Sequence, residues 1–144
     1  MKQVYGVWLP EDDTHFPKMM NEDGTYQRVT FQTAMEYVKE PKIFYDIGAH
    51  VGLWSMMAIR AQFKIIEAYE PNIKTFECLE KNLANKNATY KAYLHPHGIS
   101  INSCFVDVVI EDVVNSGAVR TAKTSRKSGG GPFVESLNYV PLHE

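Results

Sequence analysis

Cysteine is scarce: Cys78 and Cys104 are the only two in a chain of 144 residues. Their spacing fits neither a metal-ligand pair nor a disulfide framework, so both read as reduced packing residues. Charge of one sign is missing as well. Fifteen Lys and Arg stand against 17 Asp and Glu, a formal net charge of −2, which leaves no polybasic field for nucleic acid or an anionic membrane. No apolar run approaches the length of a membrane span, and Met1–Tyr5 lacks the apolar stretch of a secretory leader. These absences give the expectation of a cytoplasmic protein with no nucleic-acid and no membrane partner. There is no internal repeat, no Gly-x-x-x-x-Gly-Lys-Ser/Thr phosphate loop and no Gly-x-Gly-x-x-Gly dinucleotide fingerprint.

What is present is ordinary globular composition, 44% hydrophobic and 22% charged, in a length that suits one domain. Residues 1–40 read as an N-terminal arm and helix. Val4–Leu9 is a short apolar run closed by Pro10 and three acids, which predicts a strand or extended arm, and a loop through Pro17 to Gly24 follows. Phe31, Ala34, Met35 and Val38 recur at helical spacing from Val29 to Lys39, with Pro41 as the stop.

Residues 41–95 alternate. Ile43–Tyr45 predicts a strand, Leu53–Ala61 a helix, Ile65–Tyr69 a second strand, and the segment from Pro71 a second helix with Ile73, Phe76, Leu79 and Leu83 on one face. Pro71 suits a helix's first turn, where its missing N–H has no partner to lose. Thr89–Leu94 predicts a third strand. The alternation is the signature of an α/β fold with a parallel sheet, in the order 3-2-1 with two crossover helices. Residues 96–144 form a β-rich tail: Ser103–Val109 and Val113–Val114 are strand-like, Thr121–Gly131 is a polar, basic and glycine-rich loop, and Phe133–Leu142 predicts a last strand.

The chemistry-bearing segment is Asp46-Ile47-Gly48-Ala49-His50-Val51-Gly52. A strand delivers Asp46 to a glycine turn that opens a helix, and such a turn lets a ligand approach backbone N–H groups at the carboxyl ends of the strands. A carboxylate there repels a pyrophosphate and suits a cationic amino or sulfonium centre. The second strand ends in Tyr69-Glu70-Pro71-Asn72, and an acid at that place can accept both hydroxyls of a ribose. Together the two segments describe a nucleoside with a positively charged tail, which fits S-adenosylmethionine better than NAD.

At these residues the chain resembles class I S-adenosylmethionine-dependent methyltransferases. Asp-x-Gly-Ala-x-x-Gly followed by Glu-Pro-Asn, then Phe76, Leu79 and Asn82, is most similar to the FkbM-type family, and Val4–Pro10 and Asn115–Ala118 add weaker likenesses. The resemblance implies a Rossmann-like parallel sheet, O-methylation of a small molecule or sugar, and S-adenosylmethionine as cofactor. It implies cofactor contact at Asp46, Gly48, Ala49, His50, Gly52, Glu70, Pro71 and Asn72. Asp46, Gly48 and Gly52 would line the methionine end and Glu70 the ribose. The family's fourth-strand acidic motif, Asp-Val-Glu-Gly, is not in the sequence. The expected fold is therefore an incomplete methyltransferase fold: a cut-down member, a fragment, or a domain whose sheet is completed in a homo-oligomer. The competing expectation is a non-catalytic, cofactor-binding or oligomerising remnant.

The remaining candidates are fewer. His95 and His97, after the third strand, are the candidate general bases, and no third ligand accompanies them to suggest a metal. Trp54, Met56 and Met57 read as core in preference to substrate stackers. Arg120, Lys123, Arg126 and Lys127 read as a solvated basic loop. The free side of the Ile43–Tyr45 strand is expected to pair either with the β-rich tail or with a second copy, with Gly129–Gly131 as a hinge for strand exchange.

Overall fold

A computed structural model describes residues 1–84, 89–100, 104–110, 119–121 and 134–140. The chain opens with a hairpin, β1 (Lys2–Val4) antiparallel to β2 (Val7–Leu9). Tyr5 and Gly6 make its two-residue turn, with φ of 49° and 78°. Two successive positive φ values match the twist of a tight hairpin, so the predicted single strand or arm is instead two strands. Within the predicted loop a short helix, α1 (Phe16–Met19), appears. Asp13 starts it: its buried Oδ1 accepts the backbone N–H groups of His15 (3.0 Å) and Phe16 (2.8 Å). Helix α2 (Arg28–Met35) is shorter than the predicted 29–39. Its last turn unwinds at Glu36–Val38, well ahead of Pro41, and leaves Tyr37 and Val38 exposed.

The centre follows the predicted alternation. Strand β3 (Ile43–Ile47) leads to α3 (Leu53–Arg60), β4 (Ile65–Tyr69), α4 (Ile73–Leu83) and β5 (Lys91–His95). The three strands are parallel in the order β3-β4-β5, the 3-2-1 order read from the sequence. Pro71 does not stand in the first helical turn. Asn72 is the N-cap of α4, its side-chain oxygen accepting the Lys74 N–H at 3.0 Å, and this cap places Pro71 one residue outside the helix. Ile73 is exposed rather than on the buried face, whereas Phe76, Leu79 and Leu83 are buried.

One face of the sheet holds the core. Ile66 and Ala68, with Phe44, Ala92 and Leu94, pack against Met57 and Ala58 of α3 and Phe76, Leu79 and Leu83 of α4. Strand alternation sends Ile43, Tyr45, Ile47 and Tyr93 to the other face, and these are 44%, 53%, 56% and 47% exposed. Parallel sheets ordinarily have both faces covered, so this face is unusual.

A second apolar cluster joins the hairpin to the helices: Val7, Leu9, Met20, Val51, Leu53 and Cys78. Cys78 is fully buried in it. Asn82 clamps the same junction. Its Oδ1 accepts the Trp8 N–H at 2.7 Å, and its Nδ2 donates to the carbonyls of Trp8 (3.0 Å) and Val51 (2.8 Å).

The tail forms its own sheet. Strands β6 (Gly98–Ile99), β7 (Cys104–Ile110), β8 (Val119–Thr121) and β9 (Val134–Val140) take the order β6-β9-β7-β8. The predicted strands at 103–109 and 133–142 are present. Thr121 belongs to β8 and not to a loop. The expected pairing of the tail with the β3 edge does not occur among the described strands, because β7 takes β8 and β9 as its neighbours and β6 pairs with β9. Val113, Val114, Asn115–Ala118, the rest of the basic loop and Gly129–Gly131 lie outside the described residues.

Candidate functional site

The turn between β3 and α3 is held from three directions. Asp46, near the end of β3, accepts the Ser55 backbone N–H at 3.0 Å and the Ser55 hydroxyl at 2.6 Å, both through Oδ2. It thereby satisfies one of the free N–H groups in the first turn of α3. Gly48 and Ala49 both donate backbone N–H groups to the Tyr69 carbonyl, at 2.9 and 3.0 Å, which folds the turn over the end of β4. His50 donates its backbone N–H to Glu70 Oε2 at 2.8 Å.

Three residues of this turn have left-handed backbone: Gly48 (φ 79°), His50 (φ 55°) and Gly52 (φ 86°). The glycines differ in purpose. A Cβ on Gly48 would meet nothing within 4 Å, so the space above it is open. A Cβ on Gly52 would lie 2.5 Å from Leu79 Cδ1, so Gly52 is where α4 comes up against the turn. His50 packs its ring on Phe16, with centroids 4.5 Å apart.

Over Gly48 sits a cavity of about 280 Å³. It is lined by Asp46, Ile47, Gly48, Ala49 and His50 of the turn, by Leu53 and Trp54 of α3, and by Phe16, Tyr26 and Gln27 of the N-terminal arm. Two hollows of about 350 and 360 Å³ lie elsewhere, one over Met19 and Arg28 and one between Glu11 and Lys74, neither at the strand ends. Of the residues singled out in the sequence, Asp46, Gly48, Ala49 and His50 meet at the cavity. Gly52, Glu70, Pro71 and Asn72 are not among its lining residues.

Glu70 instead lies beneath the turn. It is buried, with Oε1 accepting the Asn72 N–H and Oε2 the His50 N–H, both at 2.8 Å. Burial pushes its carboxyl above the usual range, and the bonds from Asn72, His50 and Thr75 pull it back. Burial likewise raises Asp46, against the two bonds from Ser55. Burial lowers His50 to about 4, with the Asp13 charge opposing. His50 is therefore neutral at pH 7.

His95 and His97 lie apart from this cavity. His95 closes β5, two strands from β3 and so roughly 10 Å across the sheet. Its Nε2 is 2.8 Å from Glu67 Oε2, and its ring stacks on Tyr69 at 4.3 Å. His97 sits at the edge of that stack, 5.8 Å from Tyr69.

Sequence reasoning missed Phe16, Tyr26, Gln27 and Ser55, and preferred a core role for Trp54, which lines the cavity. Phe16, Tyr26 and Gln27 come from arm segments whose approach to the turn no periodicity announces. Ser55 carries a local signal: it sits at the third position of α3, where a free N–H awaits an acceptor. No protein-family model matches the chain, and no curated protein or solved structure matches it.

Proposed function

We propose that this chain is an S-adenosylmethionine-dependent methyltransferase domain of FkbM type, acting on an oxygen of a small molecule or sugar. The observation that carries the reading is the cavity over Gly48, lined both by the half-buried Asp46 carboxylate and by a backbone with open space above it. At about 280 Å³ it lies just under the range of whole-ligand pockets, so it suits the methionine end of the cofactor, with the nucleoside lying over the end of β4. The residues present fit the group. Asp46 Oδ1 accepts no hydrogen bond from the described residues. Glu70, buried beneath the turn, acts on the ligand through the backbone N–H groups of His50 and Asn72 that it fixes.

When bound, S-adenosylmethionine supplies a methyl on a sulfonium, and its transfer to an acceptor oxygen breaks the C–S bond, forms a C–O bond and releases the acceptor's proton and the thioether. The chain's part is placement. Asp46 holds positive charge, Gly48 admits the ligand to the backbone, and Glu70 locks His50 and so the shape of the turn. Orientation of this kind lowers a barrier by several kcal/mol, about 7–11 in the best intramolecular cases.

One observation favours the second reading, a cofactor-binding module without catalysis: His50, the imidazole at the cavity, is held to about 4 and is a weak base for an alcohol proton. Calorimetry with S-adenosylhomocysteine tests the common part of both. Glu70→Ala is expected to weaken binding by about 1–3 kcal/mol, the cost of unpairing bonds to a charged group. Equal affinity in parent and variant would remove Glu70 from the site. Transfer of label from methyl-labelled cofactor into cell extract then separates enzyme from module.

A further inference from the structure

Three of the ten residues lining the cavity are aromatic rings, Phe16, Tyr26 and Trp54, and a fourth is Asp46, whose Oδ2 is committed to Ser55. Phe16 and Tyr26 are mutually packed, centroids 5.0 Å apart, and Trp54 is braced edge-on by Phe31 at 5.5 Å. The rings are therefore fixed by their neighbours. Among the described residues, lysine and arginine are absent from the lining. Rings and a carboxylate around one small space form a receptor for positive charge, because aromatic rings and carboxylates both attract cations.

We infer that Phe16, Tyr26 and Trp54, with Asp46, make this a cation-selective site that holds the charged sulfonium cofactor more tightly than its neutral thioether product. The inference rests on the cofactor reading above and deepens it: the N-terminal arm, outside the strand–turn–helix motif, sets which form of the ligand stays. Loss of the methyl removes the sulfonium charge and leaves the amino and carboxylate groups of the ligand's tail as they were. The product is then held less tightly than the cofactor, with no movement of the turn.

Paired calorimetric titrations of S-adenosylmethionine and S-adenosylhomocysteine into the full chain test this. The parent is expected to prefer the sulfonium by about 2- to 30-fold, the range of a cation over aromatic faces. Tyr26→Leu is expected to bring that ratio down about threefold, costing the sulfonium more than the thioether, and Tyr26→Phe, which keeps the ring, is expected to retain the parent's ratio. Phe16→Leu, read the same way with circular dichroism to confirm folding, guards against a variant that merely unfolds the arm. Binding of both ligands with a parent ratio near one, or an equal loss for both ligands in Tyr26→Leu, would overturn the inference and leave the cofactor reading standing. Binding of neither ligand to the parent would sink both.

Discussion

Gly48 and Gly52 share a left-handed backbone, but a methyl group added to each meets different surroundings. At Gly48 it projects into empty space, so Gly48→Ala is expected to cost about 1–2 kcal/mol of backbone strain and to obstruct the ligand. At Gly52 the same strain is joined by a collision with Leu79, and overpacking adds about 1–3 kcal/mol. Urea unfolding of the two variants should therefore rank Gly52→Ala as the less stable, while calorimetry should rank Gly48→Ala as the greater loss of ligand binding. His50 makes a pH prediction. Its native pKa of about 4 lies below the ordinary 6.5, so the unfolded chain takes up the proton first as pH falls. Stability from this residue is full above pH 6.5 and is lost as pH falls towards 4, by roughly 3 kcal/mol at most. His50→Asn, which tolerates positive φ, should flatten that stretch of the stability curve. An unchanged slope in thermal melts across the window would show that another group governs it.

Among the elements, the junction between the hairpin and α4 depends on one side chain. Asn82 makes three hydrogen bonds to backbone groups of Trp8 and Val51. Asn82→Ala leaves those groups unpaired and is expected to destabilise the fold by about 2–4 kcal/mol, whereas Lys81→Ala next door, which loses a contact of 4.5 Å over the Trp8 ring, should cost under about 1 kcal/mol. Denaturant midpoints distinguish the two. The strand–helix alternation from 43 to 95 was legible in the sequence because each segment buries its own apolar stripe, so periodicity and packing agree. Ile73 and Pro71 were misplaced because a cap, Asn72, decides where a helix begins more firmly than the proline before it. The hairpin was hidden because Val4–Leu9 reads as one apolar run unless Tyr5 and Gly6 are both allowed positive φ. At the site, Asp46 and Gly48 were legible from the strand–turn–helix pattern, and Ala49 and His50 from the family resemblance. The aromatic wall was not, since Phe16 and Tyr26 reach the turn through tertiary contacts alone.

For the molecule as a whole, Ile43, Tyr45, Ile47 and Tyr93 stay about half exposed on one face of the parallel sheet, and β3 pairs on one side only among the described strands. Three strands of five residues span roughly 14 by 17 Å, a face of about 240 Å². A stable interface buries about 800 Å² per partner, so self-association must recruit more than this face, and the free edge of β3 adjoins it. The expected homo-oligomer is checked by light scattering at tens of micromolar. Tyr45→Lys combined with Ile47→Lys should yield a monomer, with stability within about 0.5 kcal/mol per site of the parent because both side chains already face solvent. A parent that is itself monomeric would remove the oligomer expectation.

Cys78, sealed between α4 and the hairpin, has its thiol pushed up to about 11 by burial. An alkylating reagent reacts with thiolate and needs a path to it, so in the closed fold this sulfur is silent on both counts. Its alkylation is therefore expected to wait on an opening of the cluster formed with Val7, Leu9, Met20, Val51 and Leu53, so that the labelling rate serves as an internal clock for that opening.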